Sequence, residues 1–394
     1  MLNRRYLRIK AMQQLYALHQ AEKADYQLTL DWIAEQFLPD LNSMKPQDRN
    51  KLEGLAKLTT LQFEEAVKGE TTDEEVPAQV KNVAKGALTL YQDRLKKDQR
   101  FFSKRLVEET EVIYDLYLKV LMMLVELGEE AKISDERKWY DVPEDAENPP
   151  NQASYKAAIF AQNKVIEALK AHKPLETEAI RHSATWDADR LFVRKFFKDV
   201  VKLNEQFRAY CLVQSHSIED DRKLVWYLVR NIILKNELSS LYFHEKDLNW
   251  YEDTDVVLGM VKRTFKVLED ENKVELQSLS PTWEDDKYYY EDLFRNTIAN
   301  DAHYELLIDK YTPNWDGERI ALTDKILLKL ALAEMVHFPS IPIKVTINEF
   351  IEVAKEYSTP KSGNFINGVL DVISNKLQEE GTIRKSGRGL IDNK

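Results

Sequence analysis

The stretch that decides the fold runs from Leu322 to Leu377: LTDKILLKLALAEMVHFPSIPIKVTINEFIEVAKEYSTPKSGNFINGVLDVISNKL. Leu322 to Val336 is apolar at helical spacing, which predicts a helix with Thr323 or Asp324 as its N-cap. Phe338-Pro339-Ser340-Ile341-Pro342 must leave that helix, because each proline pushes the residue before it towards extended geometry. Lys344 to Tyr357 and Asn364 to Leu377 predict two more helices, separated by Ser358-Thr359-Pro360-Lys361-Ser362-Gly363. Upstream, Tyr288 to Tyr311 reads as one helix, so the last hundred residues read as a helical bundle. The tail 381–394 carries three glycines and little apolar content, and is expected to be disordered.

Helical patterning continues outward from this bundle. At the start of the chain Leu7, Ala11, Leu15 and Leu18 form one apolar stripe, flanked by Arg4, Arg5, Arg8 and Lys10. Cations at a helix N-terminus oppose the helix dipole, so something other than helix stability must account for them. Further helices are expected near Leu28 to Phe37, Asp48 to Lys68, Pro77 to Lys97 and Phe101 to Leu127, then Ser154 to His172, Trp186 to Leu212, Ile218 to Phe243 and Thr254 to Glu271. The acidic, proline-containing WYDVPEDAENPPNQ (139–152) reads as an exposed loop, and NKVELQSLSPTWEDD (272–286) as the best domain boundary.

Composition fits an all-α protein. The 394 residues are 43% hydrophobic and 31% charged, and only 11 Gly and 12 Pro leave long stretches unbroken. A formal net charge of −11 confines any nucleic-acid contact to a local basic patch. The single cysteine, Cys211, excludes an internal disulfide and any cysteine-rich zinc site. The basic N-terminus lacks the apolar core and cleavage site of a secretory signal, and the longest apolar-rich run, Val120 to Val125, is too short to span a membrane. The cytoplasm is the expected compartment.

The Leu322 to Leu377 stretch resembles the C-terminal part of NusB family transcription antitermination factors. Three pieces carry the likeness: Asp324 with the helix leading to Ala333-Glu334, Ile341-Pro342 with Ile347-Asn348-Glu349, and Lys361-Ser362 with Phe365-Ile366-Asn367-Gly368-Val369-Leu370-Asp371. Tyr290-Glu291-Asp292-Leu293 resembles the start of the preceding family helix. Arg4-Arg5 through Arg8, Gln14, Leu15 and Tyr16 resembles the family's first helix. The expected organisation is therefore a basic helix of the NusB-like unit at 1–21, a helical insertion at 22–280, a C-terminal bundle at 281–380 and the tail at 381–394. About 260 residues separate the two family-like ends. Within the insertion, DRKLVWYLVRNII (221–233) echoes DKILLKLALAEM, and DVVLGMVKRTF (255–265) echoes NFINGVLDVIS. A degenerate second bundle over 186–271, with Gly259 at the place of Gly368, is one expectation for that region.

The resemblance implies an RNA-binding factor that takes boxA-like single-stranded RNA together with the ribosomal protein NusE, within a transcription elongation complex. It implies that Arg4, Arg5 and Arg8 touch phosphates, in keeping with the bidentate donors of guanidinium. Tyr16 and Phe365 are implied to stack on unpaired bases, and Lys361 and Ser362 to add a phosphate contact at a helix start. Lys361 departs from the family pattern, where many members carry an acid. Plainer readings stand beside these: a solvated N-terminal face for the arginines and core packing for Tyr16. Ile347, Ala354, Val369 and Leu370 read as core, and Asn348 and Asn367 as partners of buried backbone groups.

No catalytic residue, cofactor or metal site is expected. A phosphate-binding glycine loop, an HExxH motif (His244-Glu245 is followed by Lys-Asp-Leu) and a nucleophile elbow are all missing, and the acidic clusters read as solvated loops. The alternative to an RNA-binding factor is a helical protein-interaction scaffold, in transcription or ribosome assembly, whose RNA surface has decayed. A membrane-surface role for the first helix is disfavoured by its short apolar face.

Overall fold

The computed structural model describes residues 2–42, 46–69, 76–140, 156–271, 273–312 and 320–391, and among them there is no strand. The helices are α1 (Arg4–Glu35), α2 (Arg49–Lys68), α3 (Ala78–Tyr140), α4 (Lys164–Ala171), α5 (Lys173–Arg181), α6 (Arg190–Phe196), α7 (Glu205–Cys211), α8 (Ile218–Tyr227), α9 (Glu237–Lys246), α10 (Trp250–Glu271), α11 (Trp283–Ala299), α12 (Asp301–Tyr311), α13 (Leu322–His337), α14 (Ile343–Tyr357) and α15 (Ser362–Glu379). Among the described residues no helix is long and apolar enough to cross a membrane. The chain divides into two compact units, one of Met1–Asn3 with Glu108–Glu284 and one of Arg4–Val107 with Asp285–Lys394.

In the second unit α13 is the central helix. Its residues are buried nearly all round, from Ile326 through Leu332 to Met335, as befits a helix without a polar face. It packs against α1, α12, α14 and α15. The first helix does not stop near Leu18, as expected, but runs unbroken to Glu35, since nothing between Glu22 and Leu28 interrupts it. Its second half brings Ile33 into a small core with Phe37, Phe63 and Ala87, so residues 22–107 fall in the same unit as the C-terminal helices and not with the rest of the expected insertion. Two expected helices likewise merge into α3, because Asp98-Gln99-Arg100 offers no breaker. The opposite correction applies at Asn300, which divides the expected Tyr288 to Tyr311 helix: its side-chain amide donates to the Asn296 carbonyl, and the chain turns.

The first unit is built around aromatic side chains. Trp186, Trp250, Phe243, Phe207, Phe196 and Phe160 are all fully buried. The two long helices expected over Trp186–Leu212 and Ile218–Phe243 are each interrupted by a π-helical turn, at Phe197–Val201 and Leu228–Ile233. Each restarts at an asparagine whose side chain accepts from the new helix, Asn204 from Phe207 N and Asn236 from Leu238 N. The loop expected at 139–152 lies outside the described residues, save for its first two positions, which end α3.

What fastens α1 to the C-terminal helices is a buried ion pair. Arg8, 2% exposed, donates from Nε to Glu334 Oε2 at 2.7 Å and from Nη2 to Oε1 at 2.8 Å. Thr346 Oγ donates to the same Oε1 at 2.7 Å, and the Tyr289 hydroxyl donates to Oε2. Both oxygens of Glu334, itself fully buried, therefore accept two hydrogen bonds each, from α1, α11 and α14. Burial alone would raise the Glu334 pKa, but the Arg8 charge and these donors hold it below the ordinary 4.5.

The tail 381–391, expected to be disordered, instead folds back. Ser386 N donates to Pro339 O at 3.0 Å, Lys385 Nζ donates to Phe338 O at 3.0 Å, and Ile383 is buried. Lys385 supplies a cation to the C-terminal end of α13, where the helix dipole favours one, although burial pushes its amine down to about 8.

Removing one partner of the Arg8–Glu334 pair strands a buried charge. Arg8→Ala is expected to cost about 3–5 kcal/mol, and Arg8→Met with Glu334→Leu to recover most of it. Hydrogen exchange at the α1 and α13 amides reads this out within the second unit; a loss under about 1 kcal/mol would contradict the account. Because the native Glu334 pKa is lowered, its contribution is fully present above the unfolded value of 4.5 and drains away as pH falls through the native one. The protection difference between wild type and Glu334→Gln should accordingly narrow below that pH.

Candidate nucleic-acid interface

The cations at the start of α1 meet acids contributed by other helices, which explains charges that the helix dipole does not. Arg4 lies over the Tyr289 ring at 4.7 Å from its centroid and 3.5 Å from Asp286 Oδ1, with its side chain 46% exposed. Arg5 grips Glu349 with Nε at 3.0 Å and Nη2 at 2.9 Å, and its side chain is 43% exposed. The hydrogen bonds to Glu349 raise the Arg5 pKa further. A guanidinium carries five N–H donors in a fixed fork, so Arg5 retains its Nη1 edge for a further acceptor while Glu349 fixes its orientation.

Arg8 departs from its expected role. Its Nη1 also reaches Glu349 Oε2 at 3.4 Å, and with its other nitrogens on Glu334 it is an interior residue, closed to phosphate. Arg4 and Arg5 remain at the surface.

A second group of predicted residues sits where α14 turns into α15. The N-cap of α13 is Ala321, not Thr323 or Asp324. Asp324 turns its carboxylate to that turn instead, accepting from Ser358 Oγ at Oδ1 and from Ser362 Oγ at Oδ2, each at 2.7 Å. Thr359 Oγ lies 2.8 Å from the Ser362 hydroxyl. Ser362 is 2% exposed, so its side chain locks the turn and faces away from any ligand. Lys361, beside it, is exposed; Phe365, one turn into α15, is half-buried. Tyr16 is 43% exposed on α1, which favours a surface role over core packing.

The two groups hang from one helix. Asp324 anchors the turn and Glu334 anchors the arginine end, and ten residues of α-helix separate their Cα atoms by about 15 Å along the axis. Of the seven predicted residues, Arg8 and Ser362 are buried, while Arg4, Arg5, Tyr16, Lys361 and Phe365 are exposed or half-buried.

The acids and the ring behind this arrangement, Glu334, Glu349, Asp286, Asp324 and Tyr289, were missed as functional partners in the sequence reading. Glu334 did carry a signal: a carboxylate inside the apolar run ILLKLALAEM must find a donor if it is buried. Ile347, Ala354, Val369 and Leu370 are buried. Asn348 and Asn367 are exposed, and so do not serve buried backbone groups; nothing in the helical period distinguishes them from core-facing asparagines until the register of α14 and α15 is known.

Comparison with known proteins places this region. The NusB family model matches residues 259–375, beginning within α10, upstream of the expected boundary at 281. The transcription antitermination protein NusB of Salinibacter ruber is 45% identical over 103 residues, which are 26% of this chain and 64% of that protein. That of Chloroherpeton thalassium is 44% identical over 100 residues, 25% of this chain and 47% of the relative, and that of Natranaerobius thermophilus 37% identical over 91 residues, 23% and 66%. The chain thus spans about half to two thirds of the length of these curated relatives. No solved structure matches. Residues 259–375 are thus a region that matches the NusB family.

Proposed function

We propose that this protein is a transcription antitermination factor, a binding protein and not a catalyst, that engages a boxA-like single-stranded RNA together with the ribosomal protein NusE to keep RNA polymerase elongating through ribosomal RNA genes. The observation that carries the reading is the family match over 259–375, whose curated relatives bear the antitermination name. The geometry supplies a compatible surface. Arg4, Arg5 and Lys361 offer cations to the phosphates, and Tyr16 and Phe365 offer rings to unstacked bases. Arg5 is the best prepared of these, since the Glu349 carboxylate holds its fork in place before a ligand arrives and so reduces the ordering cost of binding.

The alternative of a protein-interaction scaffold is favoured by one specific observation: both surface arginines of α1 already face carboxylates, Asp286 and Glu349, with which a phosphate must compete. Salt dependence separates the readings. If Arg4, Arg5 and Lys361 each neutralise a phosphate on a single strand, these three contacts should contribute about −2 to the slope of the logarithm of RNA affinity against the logarithm of salt concentration.

Fluorescence anisotropy with a labelled boxA-like strand, with and without NusE, provides the measurement. Arg4→Gln with Arg5→Gln should weaken binding about tenfold or more, and Phe365→Ala by about fivefold to a hundredfold through lost stacking. Glutamine is used because glutamate would add repulsion beside Glu349. Undiminished affinity and an unchanged slope in the double variant would remove the RNA-contact assignment and leave the scaffold.

A further inference from the structure

The C-terminal strap, residues 382–391, lies beyond the family match, which ends at 375. Three cations occur in it, Arg384, Lys385 and Arg388, and no acid among residues 382–391, within a chain whose net charge is −11. Lys385 is spent on the end of α13, as described above. Arg384 and Arg388 are exposed, and neither forms an ion pair among the described residues. In this they differ from Arg4, Arg5 and Arg8, all of which face carboxylates.

The strap is also anchored closely. Besides the Ser386 and Lys385 bonds to the Phe338–Pro339 turn, Gly389 packs so tightly on the Pro339 carbonyl that a Cβ at this position would collide with backbone. A merely solvated tail has no need of a glycine at such an approach. The turn that receives the strap is joined to the arginine end of α1: the Phe338 ring meets the Tyr289 ring edge-on at 5.0 Å, and Tyr289 lies beneath Arg4. Arg384 donates from Nε to the Gly381 carbonyl at 3.0 Å and keeps its two Nη groups; a pinned backbone thus displays two guanidinium groups without a carboxylate partner among the described residues, beside the surface proposed for RNA.

We propose that the strap is a second phosphate-binding element, in which Arg384 and Arg388 contact the sugar–phosphate backbone of the bound RNA. The proposal rests on the RNA-binding reading above and extends it to residues beyond the family match, which ends at 375. A phosphate meeting these arginines displaces no carboxylate, so they add sequence-independent affinity, while base preference stays with the rings on α1 and α15. Docking of the strap before RNA arrives lowers the entropy cost of those contacts.

The full-length protein tests this in the same anisotropy assay. Arg384→Gln with Arg388→Gln should weaken RNA binding about fivefold to tenfold and make the salt slope shallower by about 1.4, the value for two phosphate contacts on a single strand. Gly389→Val keeps both arginines but forces the strap off Pro339; it should weaken binding as well, with fast hydrogen exchange confined to residues 382–391. Wild-type binding with both affinity and slope unchanged in the arginine variant overturns this proposal alone, and wild-type binding unaltered by Gly389→Val overturns the docked strap. A wild-type chain that binds no RNA overturns the function and the strap together. Loss of NusE capture by the arginine variant, with RNA affinity intact, would assign the arginines to a protein partner and overturn the proposal too.

Discussion

The ion pair between Arg8 and Glu334 sets the terms for everything around it. A buried carboxylate and a buried guanidinium each cost several kcal/mol to desolvate, and they persist only where geometry fills every donor and acceptor. Here Glu334 takes two bonds from Arg8, one from Thr346 and one from Tyr289, so three helices converge on one side chain of a fourth. Such a site is unforgiving of displacement. It fixes the rotation and axial position of α1 against α13, and thereby decides which of the neighbouring arginines reach the surface.

Arg5 and Arg8 illustrate the consequence, three residues apart on the same helix. Both share Glu349, yet Arg8 turns inward to Glu334 and Arg5 outward, with nearly half of its side chain in solvent. Whether such a charge becomes an interior clamp or stays at the surface follows the burial of its partner, not its own chemistry. Asp324 and Ser362 repeat this division at the other end of α13, where a buried hydroxyl locks the turn and leaves its neighbour Lys361 at the surface. Pairing an inner residue that holds with an outer residue left in solvent keeps the surface side chain's backbone rigid.

The C-terminal strap extends that logic beyond the family region. It contributes a capping cation to α13 through Lys385 and leaves two arginines without acid partners among the described residues. Its docking rests on backbone bonds, the Lys385 amine and one close glycine contact, with Ile383 as its buried apolar side chain. A segment poor in hydrophobic residues can therefore be ordered when a neighbouring turn presents free carbonyls, which is why composition alone read it as disordered.

Hydrophobic period alone determined the helical class, and the Leu322 to Leu377 stretch determined the family of the C-terminal region, because its breaks, prolines and apolar spacing are local properties. The ends of α2 and α14 followed for the same reason. Tertiary structure decided the rest. Whether α1 stopped near Leu18 or ran to Glu35 depended on the core formed by Ile33, Phe37 and Phe63, and whether Arg8 met a phosphate or a carboxylate depended on a partner 326 positions away. Sequence spacing shows which residues share a helix face, but it carries no record of which distant charge that face will meet, and for an ionised side chain that meeting determines both its burial and its function.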